Sequence, residues 1–182
     1  MERRPNPAHG DLPLTDGYLP QMRDYEQAQS ARLLDYVDLH YYAQATGVAL
    51  EPAGDVATQA LRLRSTRSLW DPDYADESWI GEPVRLIPRI RDWVANNYPG
   101  TKLAISEYNW DGFGHVNGAL AQADVLGFFG REPLDLATLW TAPEPDNPVA
   151  YAFRLYRNYD GAGIWTAISR SASATSTPSW CS

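Results

Sequence analysis

The chain has 182 residues, 44% of them hydrophobic and 21% charged, a composition that supports one globular unit with a core and excludes a wholly disordered polymer. A formal charge of -8 and a pI near 4.8 would repel a phosphate backbone or an anionic bilayer over most of the surface, so neither nucleic acid nor membrane is an expected partner. No apolar run is long enough to span a bilayer, no signal-peptide h-region follows Arg3 and Arg4, and the single cysteine, Cys181, can form no intrachain disulfide.

Residues 1–14 are rich in proline and polar groups, which predicts an extended lead-in. Over 16–34, Leu19, Met22, Tyr25, Leu33 and Leu34 suit one face of a helix capped by Thr15 or Asp16. Tyr36–Tyr42 is short, β-branched and aromatic, and reads as a buried strand. Residues 43–82 show no clear period; rich in Trp, Arg and carboxylates, they are expected to form a long, ordered, irregular loop. A second helix is expected from Pro83, with Ile87, Ile90 and Val94 on one face and a stop at Tyr98-Pro99-Gly100. A second strand follows over 101–108. The helix predicted over 115–129 would pack through Val116, Leu120, Ala123 and Gly127 and stop at Gly130. A third strand is expected over 134–140, and a last helix opens at Asn147-Pro148 and ends by Asp160-Gly161. Residues 164–182 contain a small-residue Ser/Ala/Thr tract and are expected to be a disordered, low-complexity tail.

Strands alternating with helices indicate a parallel α/β sheet with right-handed crossovers, either doubly wound or a (β/α)8 barrel. The strand ends favour the barrel. Each carries functional groups, His40, Tyr41 and Tyr42, then Glu107, Tyr108, Asn109 and Trp110, then Trp140, and barrel chemistry gathers at the C-terminal ends of several strands. A complete barrel takes eight strands and about 250 residues, so three strands predict a partial TIM barrel of roughly the last three βα units, over residues 15–163.

Glu107 stands where a buried strand meets the loop above it. A retaining glycosidase needs one carboxylate as nucleophile and a second as acid/base, about 5–5.5 Å apart, and strand ends hold such a spacing well. A buried ion pair at a barrel rim fits the same position, and spacing alone does not decide between them. Seven Trp and eleven Tyr against four Phe supply flat rings with polar edges, suited either to stacking on sugars or to a core.

Several segments in order resemble glycoside hydrolase family 44: Val37-Asp38-Leu39-His40-Tyr41-Tyr42, Leu61 through Pro72, Asp76-Glu77-Ser78-Trp79-Ile80, Thr101 through Trp110, Asn117 through Asp124, Asp135 through Trp140, and Phe153 through Gly161. The resemblance implies a retaining endo-β-1,4-glucanase acting on cellulose derivatives and xyloglucan, with a (β/α)8 barrel followed by a β-sandwich. It places the nucleophile on Glu107 and the Trp at the end of the last barrel strand on Trp140. The family's acid/base lies in an Asn-Glu-Pro segment on an earlier strand, and the chain contains no such segment. Glu51 and Glu77 are not credible replacements. The parent enzyme is expected to be extracellular, its partners being a β-glucan and the N-terminal part of the barrel and β-sandwich that this chain lacks. The fragment itself is expected to be inactive.

The remaining assignments are for binding. His40 is expected to hydrogen-bond a sugar hydroxyl or orient the carboxylate. Tyr42 is favoured over Tyr108 as a donor to Glu107, because Tyr108 follows Glu107 and points toward the helices. Asn109, two positions beyond, would face inward, while Trp110 and Trp140 suit a stacking platform and Trp70 and Trp79 suit loop anchors. Arg62, Arg64 and Arg67 are expected on a solvated face or against carboxylates. No cofactor or metal is called for, since His9, His40 and His115 show no ligand spacing. A non-catalytic carbohydrate-binding module is the main alternative, and a flavodoxin-like domain is disfavoured by the lack of a Gly-rich phosphate loop.

Overall fold

A computed structural model describes residues 13–157. Three strands, β1 (Tyr36–Tyr42), β2 (Lys102–Asn109) and β3 (Leu136–Leu139), alternate with five helices, α1 (Leu14–Gln29), α2 (Val56–Ser65), α3 (Leu86–Asn97), α4 (Val116–Arg131) and α5 (Pro148–Arg157). The sheet is parallel in the order β1-β2-β3, as expected for an α/β chain. No described helix is long and apolar enough to cross a membrane. Most of the expected lead-in and the whole of the expected C-terminal tail lie outside the described residues.

One face of the sheet is the core. Val37, Tyr41, Leu103, Ile105 and Tyr108 are buried there against Leu19 of α1, Ile87, Ile90 and Val94 of α3, and Ala121, Val125 and Phe129 of α4. The α3 residues recur at i, i+3 and i+7, the predicted apolar face. The opposite face is open among the described residues: Tyr36, Asp38, His40, Leu136, Thr138 and Trp140 are exposed.

Several boundaries differ from expectation. The stretch 43–82 is not one irregular loop, since it holds α2 and a short 3-10 turn, Thr66–Leu69. Its helix signal is a polar cap, Asp55, whose side chain accepts from the Thr58 amide at 2.8 Å, and that signal precedes a run whose buried members are Arg62 and Ser65. Apolar periodicity cannot register such a helix. Pro83 does not open α3; it pairs with Ala75 in an isolated bridge, and Arg85 in a left-handed conformation precedes the helix. α1 stops at Ser30, also left-handed, so Leu33 and Leu34 lie outside it. The buried face of α4 is Asn117, Gly118, Ala121, Gln122, Val125 and Phe129, whereas Val116 and Leu120 are exposed. The predicted stripe is displaced because the helix start is held by polar contacts of Asn117 and by close backbone approach at Gly118.

Arg62 is the centre of those contacts and is fully buried, contrary to the expected solvated face, with the Asp111 carboxylate acting on its charge. Its guanidinium donates to the carbonyls of Trp110 (2.7 Å), Ala53 (2.8 Å) and Pro52 (2.8 Å) and to Asn117 Oδ1 (2.9 Å). A forked, always-charged donor can close several orphaned carbonyls at once. It ties the loop after β1 to the end of β2 and the start of α4. Arg64 and Arg67 do meet carboxylates, Glu77 at 2.9 Å and Asp71 at 2.7 Å.

Candidate active site

Glu107 lies near the C-terminal end of β2, directly beside His40 of β1 in the parallel register. The Tyr42 hydroxyl donates to Glu107 Oε2 at 2.8 Å, and His40 Nδ1 stands 3.2 Å from the same oxygen. Neither contact engages Oε1. Burial, followed by the hydrogen bond to the Glu107 carboxylate and its negative charge, pushes the Tyr42 phenol up to about 12, so Tyr42 stays a donor at neutral pH.

Trp140 follows β3, with its amide bound to the Tyr108 carbonyl at 3.0 Å and half its surface exposed; the Trp140–Thr141 peptide is cis. The bond to the Tyr108 carbonyl fixes an exposed indole one strand away from Glu107. Trp79, assigned from sequence as a loop anchor, is 63% exposed. Its Nε1 donates to Gln44 Oε1 at 3.2 Å, and Gln44 in turn donates to the Tyr42 carbonyl at 2.7 Å. A second exposed indole is therefore tethered to the end of β1. Nothing in the sequence distinguishes it from Trp70, which packs against Phe128 and lies under the Arg131 guanidinium at 3.9 Å.

Two assignments from sequence are corrected. Trp110 is 2% exposed, donates to Ser65 Oγ at 2.9 Å and packs on Tyr41 and Tyr108; it is a core ring and offers no face to a sugar. Asn109 is likewise buried and donates to the Trp140 carbonyl, so it holds the Trp140 backbone instead of reaching the open face. Its Oδ1 has no partner among the described residues. Tyr108 points into the helix layer, where its hydroxyl accepts from Gln122 at 2.9 Å.

Two other acidic groups are committed elsewhere. Glu77 is gripped by both arms of Arg64 at 2.9 Å and by the Tyr74 hydroxyl at 2.9 Å, and the Arg64 contact holds its carboxyl below the usual range. A carboxylate so stabilised is a poor proton donor. Both oxygens of Asp38 are occupied by Ser106. Among the described residues there is no cluster of His, Cys, Asp and Glu that could hold a metal.

The sequence profile of glycoside hydrolase family 44 matches residues 3–45. Endoglucanase A of Paenibacillus lautus is 40% identical over 154 residues, covering 80% of this chain and 22% of that protein. Among solved structures, CelM2, a bifunctional glucanase-xylanase from a metagenome library, superposes with a TM-score of 0.82 at 47% identity, over 87% of this chain and 30% of that one. A Paenibacillus polymyxa xyloglucanase of the same family, solved with xyloglucan, superposes with a TM-score of 0.76 at 37% identity, over 82% of this chain and 31% of that one. The chain spans about a fifth of the curated relative and under a third of each of these structures.

Proposed function

Given that the chain belongs to glycoside hydrolase family 44, we propose that it is the C-terminal portion of a (β/α)8 catalytic barrel in which Glu107 is the nucleophile of a retaining endo-β-1,4-glucan hydrolase. The observation that carries this reading is the pair of contacts on one carboxylate oxygen. Tyr42 and His40 both address Oε2, which leaves Oε1 free to form a bond to an anomeric carbon approaching the open face. Held this way, the carboxylate is oriented before substrate arrives, with the Tyr42 hydroxyl donating to Oε2 and His40 standing beside it. Trp140 and Trp79 supply flat, exposed faces on either side for stacking against glucosyl rings.

Retention also requires a second carboxylate to protonate the leaving oxygen and later to activate water. The Asn-Glu-Pro segment that supplies it in the family is not in this chain, and Glu77 and Asp38 are tied to Arg64 and Ser106. The isolated chain is therefore inactive in this reading, the parent enzyme being extracellular and completed by the earlier βα units and a β-sandwich. The test is incubation of the purified chain with carboxymethylcellulose and with xyloglucan. No release of reducing ends is expected, and turnover abolished by Glu107→Gln would overturn the inactivity.

A further inference from the structure

Regular alternation along β2 would put Glu107 on the wrong side of the sheet. Leu103 and Ile105 are buried beneath the helices, at 5% and 1% exposure, and residues two apart in a strand share a face. Position 107 would follow them into the core. Instead Tyr108 takes the next buried position, and Ser106 and Glu107 both lie outside it.

The cause is one extra residue in β2. On the β1 side the register passes from Leu39↔Ile105 to His40↔Glu107, and on the β3 side from Ile105↔Ala137 to Tyr108↔Leu139. Ser106 has no Cα partner on either neighbour. A bulge of this kind re-aims the side chains beyond it, at the cost of taking the extra residue's backbone groups out of the ladder. Here both groups are satisfied by side chains from the flanking strands. The Ser106 amide donates to Asp38 Oδ1 at 2.9 Å, the Ser106 hydroxyl donates to Asp38 Oδ2, and the Thr138 hydroxyl donates to the Ser106 carbonyl.

We propose that Asp38 is a positioning residue for Glu107, which keeps β2 bulged at Ser106 by accepting from its amide and hydroxyl together and so holds the Glu107 carboxylate on the open face. An ionised aspartate suits this role because it is acceptor-only, with one oxygen for each donor. Thr138 completes the clamp from the other side. The catalytic meaning of the clamp rests on reading Glu107 as the nucleophile, whereas its geometry is measurable without turnover.

The test uses the 182-residue chain as wild type, Asp38→Asn and Asp38→Val, with Ser106 amide hydrogen exchange followed by NMR and the Tyr42–Glu107 distance read from crystal structures. Losing a charge-assisted hydrogen bond is expected to speed Ser106 exchange about ten- to a hundredfold in Asp38→Val and to separate Tyr42 from Glu107 beyond about 3.5 Å. Asp38→Asn keeps an acceptor for the amide and is expected to retain the contact with a smaller rise in exchange. Wild-type exchange and an intact Tyr42–Glu107 contact in Asp38→Val would overturn the proposal. If Asp38→Val does not fold, an unchanged Ser106 rate in Asp38→Asn would overturn it equally. Since neither readout depends on hydrolysis, a failure of the nucleophile assignment would leave these results standing and be recognised separately.

Discussion

Tyr42 and Glu107, 65 positions apart in the chain, meet across the β1–β2 pair with the phenol 2.8 Å from Oε2. The contact exists because two adjacent parallel strands end together and because β2 carries one extra residue just before Glu107. It joins the stability of the sheet to the chemistry of its open face.

That contact predicts an alkaline limit. Burial pushes Tyr41, Tyr74 and Tyr108 well above the ordinary phenol value, and burial together with Glu107 raises Tyr42 to about 12. A raised folded-state pKa gives stability that is fully present below the unfolded value, about 10, and is lost as pH climbs through 10 toward the folded values. The melting temperature should be level from about pH 7 to 9 and fall above about pH 10. Tyr42→Phe should soften that fall, and a wild-type slope in this variant would contradict the assigned contact.

Arg62→Met should be among the most damaging single changes. It removes the donor that closes the carbonyls of Trp110, Ala53 and Pro52 and the Asn117 side chain, leaving buried acceptors unpaired. A loss of about 3 kcal/mol or more is expected in urea denaturation. Arg62→Lys should also destabilise, since a single ammonium cannot reproduce the fork.

Gly118→Ala tests the junction between β2 and α4. An added Cβ would lie 2.3 Å from the Gly112 carbonyl oxygen and 2.5 Å from that of Asp111, and backbone cannot give way as a flexible side chain does. The expected cost is about 2 kcal/mol or more, measured by the same denaturation. Gly130→Ala, where nothing stands within 4 Å, is the matched control and should be tolerated.

The tryptophans should separate cleanly in calorimetric titrations with cello-oligosaccharides. Trp140→Ala and Trp79→Ala should each weaken binding about fivefold, from a stacking contribution of about 1 kcal/mol, without lowering the melting temperature much. Trp110→Ala should instead unfold the chain, costing about 3–5 kcal/mol as a buried ring. Binding that survives Glu107→Ala but fails with Trp140→Ala would favour a carbohydrate-binding module over a catalytic fragment.

What the sequence made legible follows what is periodic or motif-borne. β2 and the α3 face were readable because Leu103 and Ile105, and Ile87, Ile90 and Val94, repeat at strand or helix spacing, and β1 was readable from its short β-branched and aromatic run. Strand parity separated Tyr42 from Tyr108 correctly. The same parity rule misjudged Asn109, which is drawn to the Trp140 carbonyl, and gave no sign of the bulge at Ser106, because a bulge is a relation between strands and leaves no period of its own. α2 was missed because Arg62 occupies a position where an apolar residue would have marked a buried face. The exposure of Trp110 and Trp79 was illegible for a related reason: composition marks an aromatic ring as useful, and only packing decides whether its face is covered, as that of Trp110 is and that of Trp79 is not.

Glu107 as nucleophile is tested most directly in an enzyme that has its acid/base. A chimera in which residues 13–157 replace the matching segment of the 47% identical glucanase-xylanase should hydrolyse carboxymethylcellulose, and Glu107→Gln should reduce kcat by more than about a thousandfold with the fold intact by circular dichroism. A folded Glu107→Gln chimera that keeps the activity of its parent chimera would contradict the assignment.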